Sequence, residues 1–359
     1  MSAPAAIASR DYGRLPDGRP VTEYRLDNGR GLVLTALDWG GIVNGLWLPG
    51  TSAPGDSVVL GLADLAAYLR GAGSHLGVIA GRYANRIAGA SFELDGQRHR
   101  LVANDGPNCL HGGPQGFGAS LWRATPEPVA LDGSVSLRLE RESPDGEMGF
   151  PGTLRIAVRY TLGPDMSWRV DYEASTDRPT VVNLTSHAYF NLGGLASGPA
   201  LGHRLTLTAS RYTVPDATGI PLRHEPVDGT PFDFRGARGI GREIGREVGY
   251  DHNWLLDAPL DGGLHLAARL HDPATGRWME MLTTEPALQF YAGTWLDGSL
   301  TGPDGTAYTR GAGICVETQH NPDSPNRPVG PDWPSTVLRP GEVFRSATVH
   351  RFGGWDAGH

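Results

Sequence analysis

Apolar and polar residues alternate with a period of two over long stretches of this chain. Val135, Leu137 and Leu139 alternate with Ser136, Arg138 and Glu140, and Leu154, Ile156, Val158, Tyr160 and Leu162 with Arg155, Arg159 and Thr161. After Gly163-Pro164-Asp165 the pattern resumes, with Trp168, Val170 and Tyr172 set against Arg169, Asp171 and Glu173. Successive side chains of a strand point to opposite faces, so the pattern predicts half-buried antiparallel strands, the last two joined as a hairpin. Leu205 and Leu207 repeat it beside Arg204, Thr206 and Thr208, before a turn at Ala209-Ser210. Helical periodicity is scarce: Leu62–Leu69 predicts a couple of turns, and Ile240–Val248 another. No internal repeat or linker divides the chain, and Pro126–Pro128, Ser143–Gly152 and Asp323–Pro334 read as surface loops. The pattern predicts a single all-β domain over residues 1–359.

Composition narrows the chemistry. With 39% hydrophobic and 19% charged residues in 359, the chain can bury a core without a disulfide or metal staple. Its 51 glycines and 28 prolines are dispersed, which suits many short strands separated by turns. A formal net charge of −8 with no basic run argues against a nucleic-acid partner. There is no lysine: all 31 basic residues are arginine. A Schiff-base nucleophile, a pyridoxal-phosphate anchor and a P-loop lysine are therefore excluded, and acid–base work falls to His, Asp, Glu, Tyr or Cys. Met1–Arg10 lacks the basic start and apolar stretch of a signal peptide, and no apolar run approaches the ~20 residues of a membrane span. Cys109 and Cys315 make no disulfide framework. The expectation is a cytoplasmic protein, monomer or homodimer, with no membrane or nucleic-acid partner.

Three segments carry polar faces. Read as one strand, Val181–Leu192 sets Val182, Leu184, Ser186, Ala188, Phe190 and Leu192 against Asn183, Thr185, His187, Tyr189 and Asn191. A whole face of uncharged hydrogen-bonding side chains suits a groove that grips a polyhydroxylated ligand. In Leu288–Trp295, Gln289, Tyr291 and Trp295 oppose Leu288, Phe290 and Ala292; in Ile314–His320, Glu317 and Gln319 oppose Ile314 and Val316. Brought together, these faces would offer an acid–base pair, amides for hydroxyl groups and an aromatic plane. Each residue also has a plain structural reading. Glu317 alone is equally an edge residue, His187 a satisfied structural histidine, His111 a cap on its glycine loop, and Tyr291 and Trp295 core. Arg82 reads as a partner in a structural ion pair. Asp251-His252 looks like half a metal site, but no cysteine or His-x-x-x-His spacing supports it, so no metal is expected.

Four motifs then occur in order: Gly81-Arg82-Tyr83-Ala84-Asn85-Arg86-Ile87, Asn108-Cys109-Leu110-His111-Gly112-Gly113, Asn183-Leu184-Thr185-Ser186-His187-Ala188-Tyr189-Phe190-Asn191-Leu192, and Glu317-Thr318-Gln319-His320-Asn321-Pro322-Asp323-Ser324-Pro325-Asn326. Together they resemble the aldose 1-epimerase (galactose mutarotase) family over roughly residues 20–352. The resemblance implies a large single-domain β-sandwich of the galactose mutarotase-like (supersandwich) type, with no cofactor. It implies Glu317 as catalytic base, His187 as catalytic acid and His111 as the second histidine near the anomeric centre. Asn85, Arg86, Asp251 and Gln289 match the family's substrate-binding residues. Cys109 stands where the loop often carries serine or another small residue, and Gly353–His359 lies outside the pattern.

The implied reaction interconverts the α and β anomers of a free hexose such as glucose or galactose. Opening a pyranose removes the C1 hydroxyl proton and delivers a proton to the ring oxygen, which a base and an acid can do together. Glu317 is expected to be ionised and His187 protonated at neutral pH, giving a bell whose acid limb belongs to Glu317 and whose alkaline limb belongs to His187. Two other classes stay open: a glycoside hydrolase using Glu317 and Asp251, and a non-catalytic sugar-binding module on the same sandwich. A hexose-6-phosphate epimerase would need an arginine cluster at the sugar's far end.

Overall fold

The computed structural model describes residues 4–242, 249–259 and 261–355, and most of its strands lie in three antiparallel sheets. The largest has nine strands, in spatial order Arg123–Pro126, Val135–Ser143, Leu154–Leu162, Ser167–Thr176, Phe344–Gly353, Trp278–Thr283, His265–His271, Arg204–Leu207 and Arg238–Gly239. The alternating segments form its centre. Leu162 pairs with Trp168 across the Gly163-Pro164-Asp165 turn, and the apolar members of each strand are buried while Arg155, Arg169 and Glu173 stay at least partly exposed. A six-stranded sheet runs Tyr189–Phe190, Ile314–Gln319, Ala287–Tyr291, Asp251–Leu255, Arg211–Pro215, Pro221–Pro226, and a four-stranded sheet covers Ala6–Arg14 to Val43–Trp47.

One apolar cluster joins all three sheets. Trp168 and Tyr160 of the nine-stranded sheet meet Phe190 of the six-stranded sheet, with the Trp168 and Phe190 rings 6.5 Å apart, and Leu34, Val43 and Leu46 come from the four-stranded sheet. The buried Tyr160 hydroxyl donates to the Gly41 carbonyl at 2.7 Å, tying that sheet's connecting loop to the core. The sheets are therefore joined by large apolar side chains, with the Trp168 and Phe190 rings tilted at 48° to each other. Cys109 and Cys315 are buried thiols.

Several expectations need correction. Val181–Leu192 is not one strand. It makes three two-residue strands, Thr180–Val181, Thr185–Ser186 and Tyr189–Phe190, each paired with a different partner. Its asparagines bond backbone instead of ligand: Asn183 Nδ2 donates to the Ala84 carbonyl at 3.1 Å and Asn191 Nδ2 to the Ala312 carbonyl at 2.9 Å. Asp323–Pro334 begins buried, not at the surface, because Asp323 accepts hydrogen bonds from the Ala88 backbone and from Asn326. The helix expected at Leu62–Leu69 spans Leu65–Arg70, capped by Asp64, whose Oδ1 accepts from Ala67 N–H at 2.7 Å. Of Ile240–Val248, a short 3₁₀ turn covers Ile240–Arg242 and residues 243–248 lie outside the described residues.

Arg82 is structural, as expected, but through carbonyls rather than an ion pair. Its guanidinium is 1% exposed and donates to the carbonyls of Ser143, Pro151 and Gly152 at 3.1, 2.9 and 2.8 Å. It thereby pins the chain just before Asn85. Replacing it strands several buried acceptors, so Arg82→Met should lower unfolding stability by on the order of 3 kcal/mol. A urea titration checks this; an unshifted midpoint would mean those carbonyls find other donors.

Candidate active site

Both faces of the central strand Ile314–Gln319 are covered, so all six residues are buried and only their chemistry alternates. Ile314 and Val316 enter the main apolar cluster, while Glu317 lines a cleft of about 710 Å³ on the other face. Gln289 sits directly opposite Glu317 in the neighbouring strand, and Asp251 comes from the strand beyond, opposite Tyr291. His187 precedes Tyr189–Phe190, which pairs with Ile314–Cys315 along the other edge. All seven residues singled out from the sequence, Asn85, Arg86, His111, His187, Asp251, Gln289 and Glu317, line this one cleft.

The distances define an acid–base centre. His187 Nε2 lies 3.7 Å from Glu317 Oε1, and the His111 and His187 rings meet edge to face at 5.1 Å. Gln289 Nε2 donates to Asp251 Oδ1 at 2.7 Å, so the amide orients the carboxylate. Arg86 Nε donates to Asp105 Oδ2 at 2.7 Å, which holds the guanidinium along the cleft wall. Glu317 Oε2 and Gln289 Oε1 are buried and accept no hydrogen bond from the described residues. Buried acceptors without donors are costly, and they suit hydroxyl groups arriving with a ligand.

Burial reverses the expected resting charges. It lifts the Glu317 carboxyl well above the usual carboxylate range, with the negative charge of Asp251 adding to the effect and Arg86 opposing it. It pushes His187 down to about 3, helped by the neighbouring His75. Of the two groups the carboxyl therefore holds a shared proton in preference to the imidazole, because a dry cleft penalises both charged forms.

His111 is fixed by the backbone. Its Nδ1 accepts a hydrogen bond from the Asn85 N–H at 3.1 Å, and its own N–H donates to the Asn85 carbonyl at 3.0 Å. A neutral imidazole accepting at Nδ1 carries its hydrogen on Nε2, so His111 is a hydrogen-bond donor toward the cleft. This bears on whether the cluster suits a metal. His111, His187 and Glu317 bring potential ligand atoms within 4.8 Å of one another. A ligating imidazole needs a free lone pair facing the metal, whereas the lone pair of His111, on Nδ1, is engaged by the Asn85 N–H and its Nε2 carries hydrogen. The Asp251-His252 pair fails too: adjacent strand residues diverge, and the His252 ring packs on Phe232 at 4.6 Å.

Other expected residues are distributed unevenly. Tyr291 and Trp295 line the cleft, but Trp295 lies beyond the strand and is 82% exposed at the mouth, its backbone N–H donating to the Tyr291 hydroxyl at 2.8 Å. Gln319 is fully buried and does not reach the cleft. Among the lining residues missed by sequence reasoning are His75 and Asp105. His75 sits with its ring 4.7 Å from His111, in a left-handed conformation at φ 51°. Its loop is tied to the site by Tyr189, whose hydroxyl donates to the Ser74 carbonyl at 2.8 Å. No local pattern announces it. Asp105, the partner of Arg86, was visible only as a neighbour of His111 in the same glycine-rich loop.

Comparison with known proteins places the chain among relatives. The family model described as aldose 1-epimerase matches residues 22–351. The chain is 38% identical to the galactose mutarotase of Homo sapiens over 353 residues, 97% of this chain and 99% of that protein. It is 39% identical over 347 residues to the aldose 1-epimerase of Escherichia coli (strain K12), covering 94% and 96% of the two. The crystal structure of galactose 1-epimerase from Lactobacillus acidophilus superposes with a TM-score of 0.83 at 27% identity, covering 97% of this chain and 99% of that one.

The pairing of Gln289 with Asp251 generates a test. If this cleft takes a sugar, Asp251→Asn removes a charged acceptor from it, at a cost of about 1.5–3 kcal/mol, which is about 10- to 150-fold in KM or kcat. Thermal unfolding should be unchanged, since the Asp251 side chain faces the cleft rather than the apolar cluster. Wild-type kinetics would remove Asp251 from the site.

Proposed function

The chain belongs to the aldose 1-epimerase family and interconverts the α and β anomers of aldoses, and from that premise we propose that Glu317, His187 and His111 perform the chemistry on free aldohexoses such as glucose and galactose. The observation that carries this reading is the 3.7 Å approach of His187 Nε2 to Glu317 Oε1 inside the cleft. In the arrangement that places the shared proton on His187, the ionised Glu317 takes the C1 hydroxyl proton as the C1–O1 double bond forms. The C1–O5 bond breaks, its electron pair goes to O5, and O5 receives the proton from His187 Nε2. The aldehyde turns about C1–C2 and closes on its other face with the roles exchanged. His111, donating from Nε2, steadies the oxygen that gains charge.

Asn85, Arg86, Asp251 and Gln289 bind the ring hydroxyls. Arg86 is offset by Asp105, and Asp251 and Asp297 outweigh Arg70 among the other charges that line the cleft, which favours an uncharged sugar over a phosphorylated one. The chain acts as one domain, a reading supported by an apolar cluster that runs from Leu26 to Phe352. The same reading takes it to be cytoplasmic and to serve hexose metabolism. No helix of the described residues is long and apolar enough to cross a membrane.

Polarimetry on fresh α-glucose or α-galactose tests the assignment. Glu317→Gln cannot accept a proton and should lose ~10²–10⁴ in kcat after correction for spontaneous mutarotation, and His187→Asn a similar factor. The double variant should cost little more than either single one, because the two act as a unit. If Glu317→Gln keeps most of the corrected rate, the base lies elsewhere.

The pH profile carries a second test, with the limbs exchanged from the sequence-based expectation. The active pair holds one proton between two groups, and its two arrangements stay in a fixed ratio as pH changes. His187, pushed down to about 3, takes a second proton only in acid, so it sets the acid limb. Glu317, pushed up, keeps the shared proton to higher pH than an ordinary carboxyl, so it sets the alkaline limb. The acid limb should lie well below the ordinary imidazole range, whereas an acid midpoint near pH 6.5 would show an imidazole unaffected by burial.

A further inference from the structure

His187 is bracketed by alternate residues of one strand. Cys315 and Glu317 project from the same face of Ile314–Gln319, with Val316 turned into the core between them. Cys315 Sγ lies 3.5 Å from His187 Nδ1, and Glu317 Oε1 lies 3.7 Å from His187 Nε2. The two ring nitrogens thus face a thiol and a carboxyl held at fixed spacing by the backbone. The Tyr189 ring stacks on the imidazole at 5.2 Å, and His111 abuts it edge-on, so the ring plane is fixed as well. Cys315 is fully buried and unoxidised.

We propose that Cys315 is a positioning residue: its sulfur accepts the Nδ1–H of His187, leaving Nε2 as the nitrogen that exchanges a proton with the sugar and Glu317. This rests on the reading of His187 as the catalytic acid. An imidazole that gives and regains a proton at Nε2 in every cycle keeps its other hydrogen on Nδ1 throughout, and that hydrogen needs an acceptor. The thiol stays protonated, because burial and the nearby carboxyls of Glu317 and Asp251 push it far up, so it acts through the sulfur lone pairs. A weak acceptor has a use here. A carboxylate at this position would stabilise the imidazolium and raise its pKa by about 1–3 units, making it a poorer acid. Sulfur orients the ring without that penalty.

The test combines ¹⁵N NMR of the histidine rings with steady-state polarimetry. In the wild-type enzyme, free and with sugar, neutral His187 should carry its hydrogen on Nδ1. Cys315→Ala should lower kcat about tenfold with KM unchanged and give a mixture of the two tautomers. Cys315→Ser, which keeps an acceptor, should restore the Nδ1–H form and much of the rate. A wild-type hydrogen on Nε2 overturns the proposal, as does a Cys315→Ala enzyme with the wild-type kcat and tautomer. The wild-type spectrum decides the matter even if Cys315→Ala fails to fold. Failure of the underlying mechanism is a separate outcome, since it would appear as a wild-type rate in His187→Asn whatever the tautomer.

Discussion

The Glu317 carboxyl is 2% exposed, on a strand hydrogen-bonded on both sides, and the site is arranged around the consequences of keeping it dry. A carboxylate taken from water into such a place costs several kcal/mol unless it is paired or bonded, and one of its oxygens has no donor among the described residues. The least costly state is the protonated one. Arg86 opposes that shift from the cleft wall, but its guanidinium is shared with Asp105, and Asp251 pushes the other way. A proton held this tightly marks a strong base once it has left. Desolvation therefore raises the basicity of Glu317 at the same time as it lowers the fraction ionised at rest.

The histidines are held by backbone and packing rather than by charge. Asn85 and His111 both adopt left-handed conformations, at φ 64° and 50°, and bond to each other through main chain and ring. Such conformations persist in residues other than glycine only where the surroundings over-determine them. Here the surroundings are the Gly81-Arg82 segment, pinned by the Arg82 guanidinium, and the His111-Gly112-Gly113 turn laid against it. A Cβ on Gly112 would stand 2.1 Å from the Gly81 carbonyl oxygen, so this glycine is required by contact as well as by its φ of 84°. Arg82 and Gly112 thus hold Asn85 and His111 in the arrangement that sets the tautomer of the imidazole.

What the sequence revealed follows from how locally each feature is determined. The nine-stranded sheet was legible because one face meets solvent, and Val135–Ser143 or Leu154–Leu162 then writes its two environments as alternating polarity. The cleft strands were legible in chemistry: Gln289 and Glu317 stand out between apolar neighbours although every residue there is buried. Val181–Leu192 was misread because its polar face looks the same whether side chains serve a ligand or the backbone. Asn183 and Asn191 serve the backbone, and only His187 and Tyr189 of that face reach the cleft. His75 and Asp105 had no signal of their own, since their positions depend on loops folding against distant strands. The resting charges were illegible for the same reason, because desolvation is a property of the finished cleft.

Those charges fit the reaction better than the ion pair expected from sequence. Mutarotation connects two anomers of nearly equal free energy, so the centre must serve equally well as acid and base at either oxygen, in either direction. An ionised Glu317 beside an imidazolium at 3.7 Å would stabilise itself most in the empty cleft, and opening the sugar would have to break that attraction. A neutral pair sharing one proton carries no such bias. Burial moves the two groups toward each other's ordinary range from opposite sides, raising the carboxyl and lowering the imidazole. Each charged form is then made reactive by the same dry surroundings, and the sugar's hydroxyls supply donors that the empty carboxyl lacks. Ring opening and closure can therefore use one site with the roles exchanged, which is what interconversion of anomers demands.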